Sequence, residues 1–388
     1  MSAPGRVLAL EPYYGGSHRA VLDGLTEALA HIEPAWEVER YTLPARKWKW
    51  RMRGSAIVLA RRAREAWDAG QRWDLVFAST FVNLAEFKSL AGQGVGSLPA
   101  IVYFHENQLL YPNRHTAEWD LQFPLTNVVS ALAADRCVFN TRWNFDGFLA
   151  EIPGFFKQFP DHLPKGVAPA IAAKSEVLAP PFDPSVFDAV LGQGPEALAG
   201  DHGASDTRRV AHRGPVPRVV WPHRWEHDKD PDTFFRAAAL LAAEGIDFEV
   251  VVAGQEFEDR PVVFGEAATV LGGRLVHHGE PQGRGAYADL LAGSDIAVST
   301  AVNEFFGLAM LEACYSGCFP LVPDRLAYPE LYSAEFRYDG EEQLVSRLRA
   351  LLTERPAPGC ARHLAEPFTL ARLAPRYGAL FDRVASRA

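Results

Sequence analysis

The sequence predicts an α/β protein of two parallel-sheet domains, and three observations carry that prediction: the length, an alternation of short apolar runs with helix-like segments, and a break in that alternation over residues 179–217. At 388 residues the chain exceeds what one core ordinarily serves, and two domains of roughly 150–200 residues each fit it. Hydrophobic residues make up 48% and charged residues 22%, a globular composition that excludes disorder as the main state.

Val7–Leu10, Leu75–Ser79, Ile101–Phe104 and Arg136–Phe139 are apolar along their length and predict buried strands. His18–Ala30 and Leu121–Ala134 predict helices between them. Such runs pack helices on both faces of a parallel sheet, which predicts βαβ units and a first domain over 1–180. Residues 181–217 are expected to form a linker or variable insertion, since Ala179-Pro-Pro-Phe-Asp-Pro184, several glycines and Arg213-Gly-Pro-Val-Pro217 punctuate the stretch. A second domain over 218–368 follows, with strands at Arg218–Trp221, Phe248–Ala253, Arg274–His277, Ile296–Ser299 and Phe319–Val322. Its helices are expected at Asp232–Glu244, Ala286–Ala292 and Leu308–Ser316. The final helix, Thr369–Val384 within 369–388, comes after that sheet is complete and is expected to pack back on the first domain. Open α/β sheets bind ligands beyond the carboxyl ends of their strands, so two facing sheets predict a site in the cleft between the domains.

The loops after the expected strands hold the candidate chemistry. Glu11-Pro-Tyr-Tyr-Gly15-Gly16-Ser17-His18 joins the first strand to the first helix. Gly15 and Gly16 let backbone N–H groups approach an anion at a helix N-terminus; the plainer alternative is a tight turn with Ser17 as N-cap. His105, Glu106 and Asn107 follow a strand end, either as a ligand-facing edge or as a capped turn. Arg224 and Lys229 lie on one loop before a helix, where two cations would balance a diphosphate held without a metal. Asp228-Lys229-Asp230 invites a metal reading, but Asp230-Pro231 reads better as an N-cap followed by Pro at the first helical position. Glu304 precedes a helix start at Gly307, and Glu312 lies about two turns further on. The two carboxylates would grip separate hydroxyl-bearing parts of one ligand, or else cap the helix and face solvent.

Gly92, Gly94 and Gly96 imitate a dinucleotide fingerprint, but a strand follows them, so they are expected to be loop glycines. The formal charge is 39 − 48 = −9, which argues against general nucleic-acid affinity. Within it, Arg46, Lys47, Lys49, Arg51, Arg53, Arg61, Arg62 and Arg64 concentrate positive charge with no acid among them, interleaved with Trp48 and Trp50. That is a nucleic-acid pattern, with a solvated basic helix or a diphosphate-steering rim as alternatives. Cys314 and Cys318 are expected as packing residues, and with Cys137 and Cys360 they imply no disulfide framework. No secretory pattern opens the sequence and no run is long enough to span a bilayer, so a soluble cytoplasmic protein is expected.

Glu304 to Pro320 resembles the Glu-x7-Glu element of retaining glycosyltransferases of the GT-B fold, which consists of two Rossmann-like domains facing each other across a cleft. The Arg224/Lys229 loop, His105 and Gly15-Gly16 match that group's other donor-site positions in the same order. More narrowly, Tyr14–His18, Leu43–Arg51, Tyr103–Leu109, Trp221–Pro231, Glu304–Gly307 and Tyr328–Glu330 resemble the tRNA-queuosine mannosyltransferase family over most of the chain except about 185–217. The resemblance implies transfer of mannose from GDP-mannose to a cyclopentenediol hydroxyl of queuosine in a tRNA anticodon, with retention and with neither metal nor cofactor. It implies that Arg224 and Lys229 neutralise the diphosphate and that Glu304 holds the sugar hydroxyls. Glu312 would hold the ribose, with Phe306, Gly307 and Leu308 lining the donor site and His105 beside the sugar. Ser17, His18, Glu106, Asn107 and the segment Arg46, Lys47, Trp48, Lys49, Trp50, Arg51 and Arg53 would face tRNA. With no nucleophile pair evident, same-face displacement is expected, the leaving phosphate taking the acceptor proton. A lipid or glycan acceptor, a non-catalytic RNA- or sugar-nucleotide-binding module and a sugar-nucleotide epimerase are the competing readings.

Overall fold

The computed structural model describes residues 4–112, 120–192, 213–257 and 260–386. They fall into two compact units, Met1–Phe182 with Leu370–Ala388, and Asp183–Thr369. Unit 1 contains strands β1 (Gly5–Tyr14), β2 (Trp36–Pro44), β3 (Leu75–Ser79), β4 (Ala100–Phe104), β5 (Arg136–Phe139) and β6 (Ser175–Val177). They form one parallel sheet in the order β2-β1-β3-β4-β5-β6. Its helices are α1 (Gly16–Leu29), α2 (Trp48–Asp68), α3 (Leu84–Val95), α4 (Gln122–Ala133), α5 (Arg142–Phe156) and α6 (Val167–Ala172).

Unit 2 repeats the plan with β7 (Arg218–Trp221), β8 (Glu249–Ala253), β9 (Leu275–Gly279), β10 (Ile296–Val298), β11 (Phe319–Pro323) and β12 (Arg337–Tyr338). Its parallel sheet runs β12-β11-β10-β7-β8-β9. Helices α7 (Ser185–Val190), α8 (Pro231–Ala243), α9 (Val263–Leu271), α10 (Arg284–Ala292), α11 (Leu308–Tyr315), α12 (Tyr328–Leu331) and α13 (Gly340–Thr353) accompany it. Each sheet reverses its winding once, beside β1/β3 in unit 1 and beside β7/β10 in unit 2. Loops leaving the carboxyl ends there diverge to opposite faces and leave a crevice, the usual ligand position in such sheets.

The last helix, α14 (Leu370–Ala385), belongs to unit 1. Tyr377 donates its hydroxyl to Ala179 O at 3.0 Å, and the Trp36 indole donates to Asp382 Oδ1 at 3.1 Å. Leu370 packs so closely on Gly24 that a Cβ there would lie 2.9 Å from its Cδ1.

Several local expectations need correction. Residues 183–190, assigned to a linker, belong to unit 2 and include α7, where Asp188 accepts the Tyr315 hydroxyl at 2.9 Å and pairs with Arg362. Arg213 is likewise docked, its guanidinium donating to Gly317 O at 2.6 Å; residues 193–212 lie outside the described residues. Strand β2 went unread because it is an edge strand whose Trp-Glu-Val-Glu-Arg pattern carries charge on the less covered face. Gly92 breaks α3 with a non-helical kink at φ 78, as a loop glycine would, whereas Gly94 lies in the helical turn after it and Gly96 is the C-cap. A Cβ on Gly94 would come 2.3 Å from Trp67 Nε1, so close packing on α2 accounts for that glycine. Ser17 is not the N-cap of α1: Gly15 holds that position in an extended conformation, and Ser17 is exposed in the first turn.

Candidate active site

In unit 2 the loops after β7 and β10 are tied together before any ligand arrives. Val302 and Asn303 donate their N–H groups to Asp228 O at 2.8 and 3.2 Å, and Thr300 donates its hydroxyl to Lys229 O at 2.8 Å. Asp230 caps α8 as the sequence indicates, accepting from Thr233 N at 3.3 Å ahead of Pro231. The Lys229 side chain is therefore led inward. Its Nζ lies 2.6 Å from Asn303 O, 3.3 Å from Asp228 Oδ2 and 3.4 Å from Glu304 Oε2.

Burial opposes the charge on Lys229, but Glu304 and Asp228 outweigh it and its pKa is raised. Burial likewise pushes Glu304 up, and Lys229 together with the Phe306 N–H outweighs it, so the carboxyl is held below its ordinary value. The pair is charged at neutral pH. Glu304 Oε1 also accepts from Phe306 N at 3.3 Å and Gly307 N at 3.0 Å. It thus does what the capping alternative proposed while keeping its other oxygen on Lys229. Gly307 is the N-cap of α11 at φ 86, a left-handed conformation that favours glycine. Arg224 remains 44% exposed, its guanidinium 2.9 Å from Glu226.

Glu312 is not a solvated carboxylate. Its side chain is 5% exposed and its Oε1 accepts from Arg284 Nη2 at 2.7 Å. Arg284 stands 5.2 Å over the Phe187 ring and 5.4 Å over Tyr287. Burial, then the Glu312 charge, raise the Tyr287 pKa well above its ordinary value. Arg284 and Tyr287 were absent from the sequence reading, because nothing in a Gly283-Arg284-Gly285 turn points to a carboxylate 28 residues on.

Unit 1 gathers a second polar cluster at the ends of β1, β3 and β4. Glu11, 3% exposed, accepts from Tyr13 N at 2.8 Å and meets His18 Nδ1 at 3.0 Å. His105 lies 4.4 Å from His18 between ring centroids. Burial, then the charge of His18, hold His105 well below its ordinary pKa, so it is neutral. Glu11, His18 and His105 could each lend one atom to a metal ion, all within 4.8 Å of one another. The sequence reading named both histidines but gave Glu11 no part. Its burial between two strands at the winding reversal is a tertiary fact. Gly16, at φ 51, opens α1 beside them.

Of the other candidates, Asn107 is fully buried and spent on structure. Its Oδ1 accepts from Leu109 N and Leu110 N, and its Nδ2 donates to Asn144 at 2.7 Å, so it positions the loop rather than facing solvent. Glu106 is partly exposed beside it. The basic segment becomes the entry to α2, where Arg46, Lys47, Lys49, Trp50 and Arg53 are exposed and Arg51 and Trp48 half-buried. Trp48 rests on Phe123 at 5.1 Å, and Arg53 pairs with Asp120. Trp50 stands 65% exposed beside an open recess lined by Lys47, Trp48, Lys49 and Arg53.

Two parallel-sheet units, each with one winding reversal, are the two-domain plan of the GT-B glycosyltransferases. Residues 206–358 match the glycosyl transferases group 1 family. Among solved structures, sucrose-phosphate synthase from Thermosynechococcus elongatus aligns over 99% of this chain and 100% of its own at TM-score 0.69 and 14% identity. Anabaena Alr3699/HepE in complex with UDP aligns over 97% and 100% at TM-score 0.65 and 15% identity. Residues 6–182 match the N-terminal domain of tRNA-queuosine alpha-mannosyltransferase. The tRNA-queuosine alpha-mannosyltransferase of Drosophila melanogaster is 35% identical over 89% of this chain and 86% of its own length. A GDP-mannose-dependent alpha-(1-6)-phosphatidylinositol dimannoside mannosyltransferase of Mycobacterium tuberculosis is 30% identical over 38% of this chain and 39% of its own. The chain belongs to the tRNA-queuosine alpha-mannosyltransferase family and is a glycosyltransferase. No helix among the described residues is long and apolar enough to cross a membrane.

Proposed function

We propose that this enzyme transfers mannose from GDP-mannose to queuosine in a tRNA anticodon, with retention at the anomeric carbon. The observation that carries the reading is the 35% identity across 89% of the chain to a tRNA-queuosine alpha-mannosyltransferase. Support for the donor comes from the second relative, whose name specifies GDP-mannose. An α-linked donor giving an α-linked product means retention.

Unit 2 holds the donor. Arg224 and Lys229 face the diphosphate as negative charge grows on the leaving oxygen, the task a metal performs elsewhere. Glu304 has one oxygen on Lys229 and takes the sugar hydroxyls; Glu312, oriented by Arg284, takes the ribose. Gly307, Phe306 and Leu308 bring the N-terminus of α11 to the same ligand. Unit 1 holds the acceptor, beside His105 and the Gly15-Gly16 turn. The exposed cations and Trp50 at the start of α2 grip the RNA by charge and stacking. The protein acts in the cytoplasm, where its tRNA substrate resides.

Calorimetry with GDP-mannose, UDP-glucose and GDP tests the donor assignment. Tight binding of the two guanine nucleotides and weak binding of UDP-glucose is expected; the reverse order would overturn it. Digestion of labelled product with an α-mannosidase tests the stereochemistry, since release of all label requires an α linkage.

A further inference from the structure

Helix α2 presents more surface than the recess at its start uses. Its inner side, Met52, Ser55, Ala56, Leu59, Ala60 and Ala63, is buried. At 3.6 residues per turn, Trp50, Gly54, Ile57, Arg61 and Arg64 fall within about 80° of one another on the opposite side, with Val58 flanking them. Trp50, Ile57 and Val58 are 65%, 62% and 53% exposed, so three large apolar side chains face water along one helix. A Cβ on Gly54 would meet only the Trp50 indole, at 3.7 Å, which lays that ring along the helix toward the Ile57 turn. Cations border the apolar stretch at both ends, with Lys47, Lys49 and Arg53 before it and Arg61 and Arg64 after it, all exposed. No acid interrupts the run from Arg46 to Arg64. Glu65 is the first, and it meets Arg61 at 3.5 Å through side chains 66% and 76% exposed, a contact that solvent leaves weak. Arg62 is turned aside, its guanidinium 3.9 Å over the Tyr41 ring.

In a chain of net charge −9, a strip that is positive at its ends and apolar between them fits a polyanion whose charged rows border an uncharged floor. Paired RNA has that form, since phosphates flank a wide, shallow minor groove lined by ribose. A single strand stacks its bases on aromatic side chains, and the strip carries none beyond Trp50. Arg61 and Arg64 lie about 17 and 21 Å along the axis from Trp50, at 1.5 Å per residue. A base stacked on Trp50 and the phosphates at Arg61 and Arg64 therefore belong to separate parts of one RNA. We propose that the outer strip of α2 from Gly54 to Arg64 docks the paired stem next to the anticodon loop, with Arg61 and Arg64 on its phosphates and Ile57 and Val58 against ribose. This rests on the acceptor reading above and extends it from the loop to the stem. Recognition there is by shape and charge, so it is indifferent to the stem's base sequence.

The test measures binding of the full chain to two RNAs, the queuosine-containing anticodon stem-loop and the unpaired loop alone as a short oligonucleotide. Arg61→Gln combined with Arg64→Gln should lower the slope of log affinity against log salt by about 2 on the stem-loop, one for each lost phosphate contact. Ile57→Glu, which sets a carboxylate among the phosphates, should weaken stem-loop binding at least about 10-fold. All three positions are exposed, and affinity for GDP-mannose, a check on the fold, should not change. On the loop oligonucleotide, wild type and variants should bind alike. An unchanged slope and affinity of the double variant on the stem-loop would overturn the proposal. So would an equal loss on both RNAs, which would place these residues on the single strand. Self-association or capture of anionic vesicles by wild type, abolished in Ile57→Glu while stem-loop binding stays intact, would assign the strip to a second copy or a membrane and overturn it too. If wild type labels no tRNA, the acceptor reading fails, and the binding comparison, which needs no transfer, still decides the role of the strip.

Discussion

Lys229 Nζ sits 3.4 Å from Glu304 Oε2, with side chains 8% and 19% exposed. Lys229 also holds Asn303 O and Asp228, so one ammonium ties the loop after β7 to the loop after β10. The ammonium that closes the site is also the charge proposed to serve the diphosphate.

Replacing Lys229 with Met leaves Asp228 and Glu304 facing each other with no cation between them. Stability should fall by about 3 kcal/mol, the usual consequence of removing one partner of a buried pair, and kcat/KM should fall at least about 100-fold. Urea unfolding and steady-state kinetics measure the two. Loss of activity with unchanged stability would show that the tie between the loops contributes nothing to the fold.

Arg284→Ala should act on the donor and not on the acceptor. It frees the Glu312 carboxylate, which Arg284 holds at 2.7 Å, so KM for the sugar nucleotide should rise about 10-fold, roughly 1.4 kcal/mol, with KM for tRNA unchanged. Equal rises in both constants would contradict a donor-site role.

Much of this site was legible in sequence because it lies in strings that are local. Trp221–Pro231 and Glu304–Gly307 each join a strand end to a helix start, and turn chemistry there leaves few alternatives. Asp230 before Pro231 is such a case. What escaped is what folding brings from afar: Arg284 to Glu312, and Glu11 to His105, 94 positions along the chain. Asn107 shows the converse. Its string identifies a polar turn, but only the packing reveals that every polar atom of its amide is spent on the loop itself. The edge strand β2 escaped for another reason, since its exposed face breaks the apolar run by which buried strands announce themselves.

Trp50→Ala should leave the fold intact, because the side chain is 65% exposed. If the indole stacks on an anticodon base, KM for tRNA should rise about 10-fold to 100-fold, from roughly 1–3 kcal/mol per stacked base. Hydrolysis of GDP-mannose without tRNA should not change. An unaltered KM for tRNA would remove Trp50 from the interface.

His223 gives unit 2 a pH dependence. It is 4% exposed, and burial, then the charge of Lys229, push its pKa down to about 3. The unfolded chain takes up the proton near pH 6.5 and the folded one does not, so stability from this group is complete above about pH 6.5 and declines toward pH 3. Between pH 6.5 and pH 4 the loss should be about 3 kcal/mol. His223→Gln should show a correspondingly shallower decline in denaturant titrations; an identical slope would place His223 outside the buried, neutral state.

The central claim is tested most directly by incubating the enzyme with labelled GDP-mannose and tRNA from cells that make queuosine, beside tRNA from cells that lack it. The account predicts label only in the queuosine-containing tRNA, recovered after nuclease digestion as a mannosylated queuosine nucleoside. Equal labelling of both tRNAs, or of neither, would contradict it.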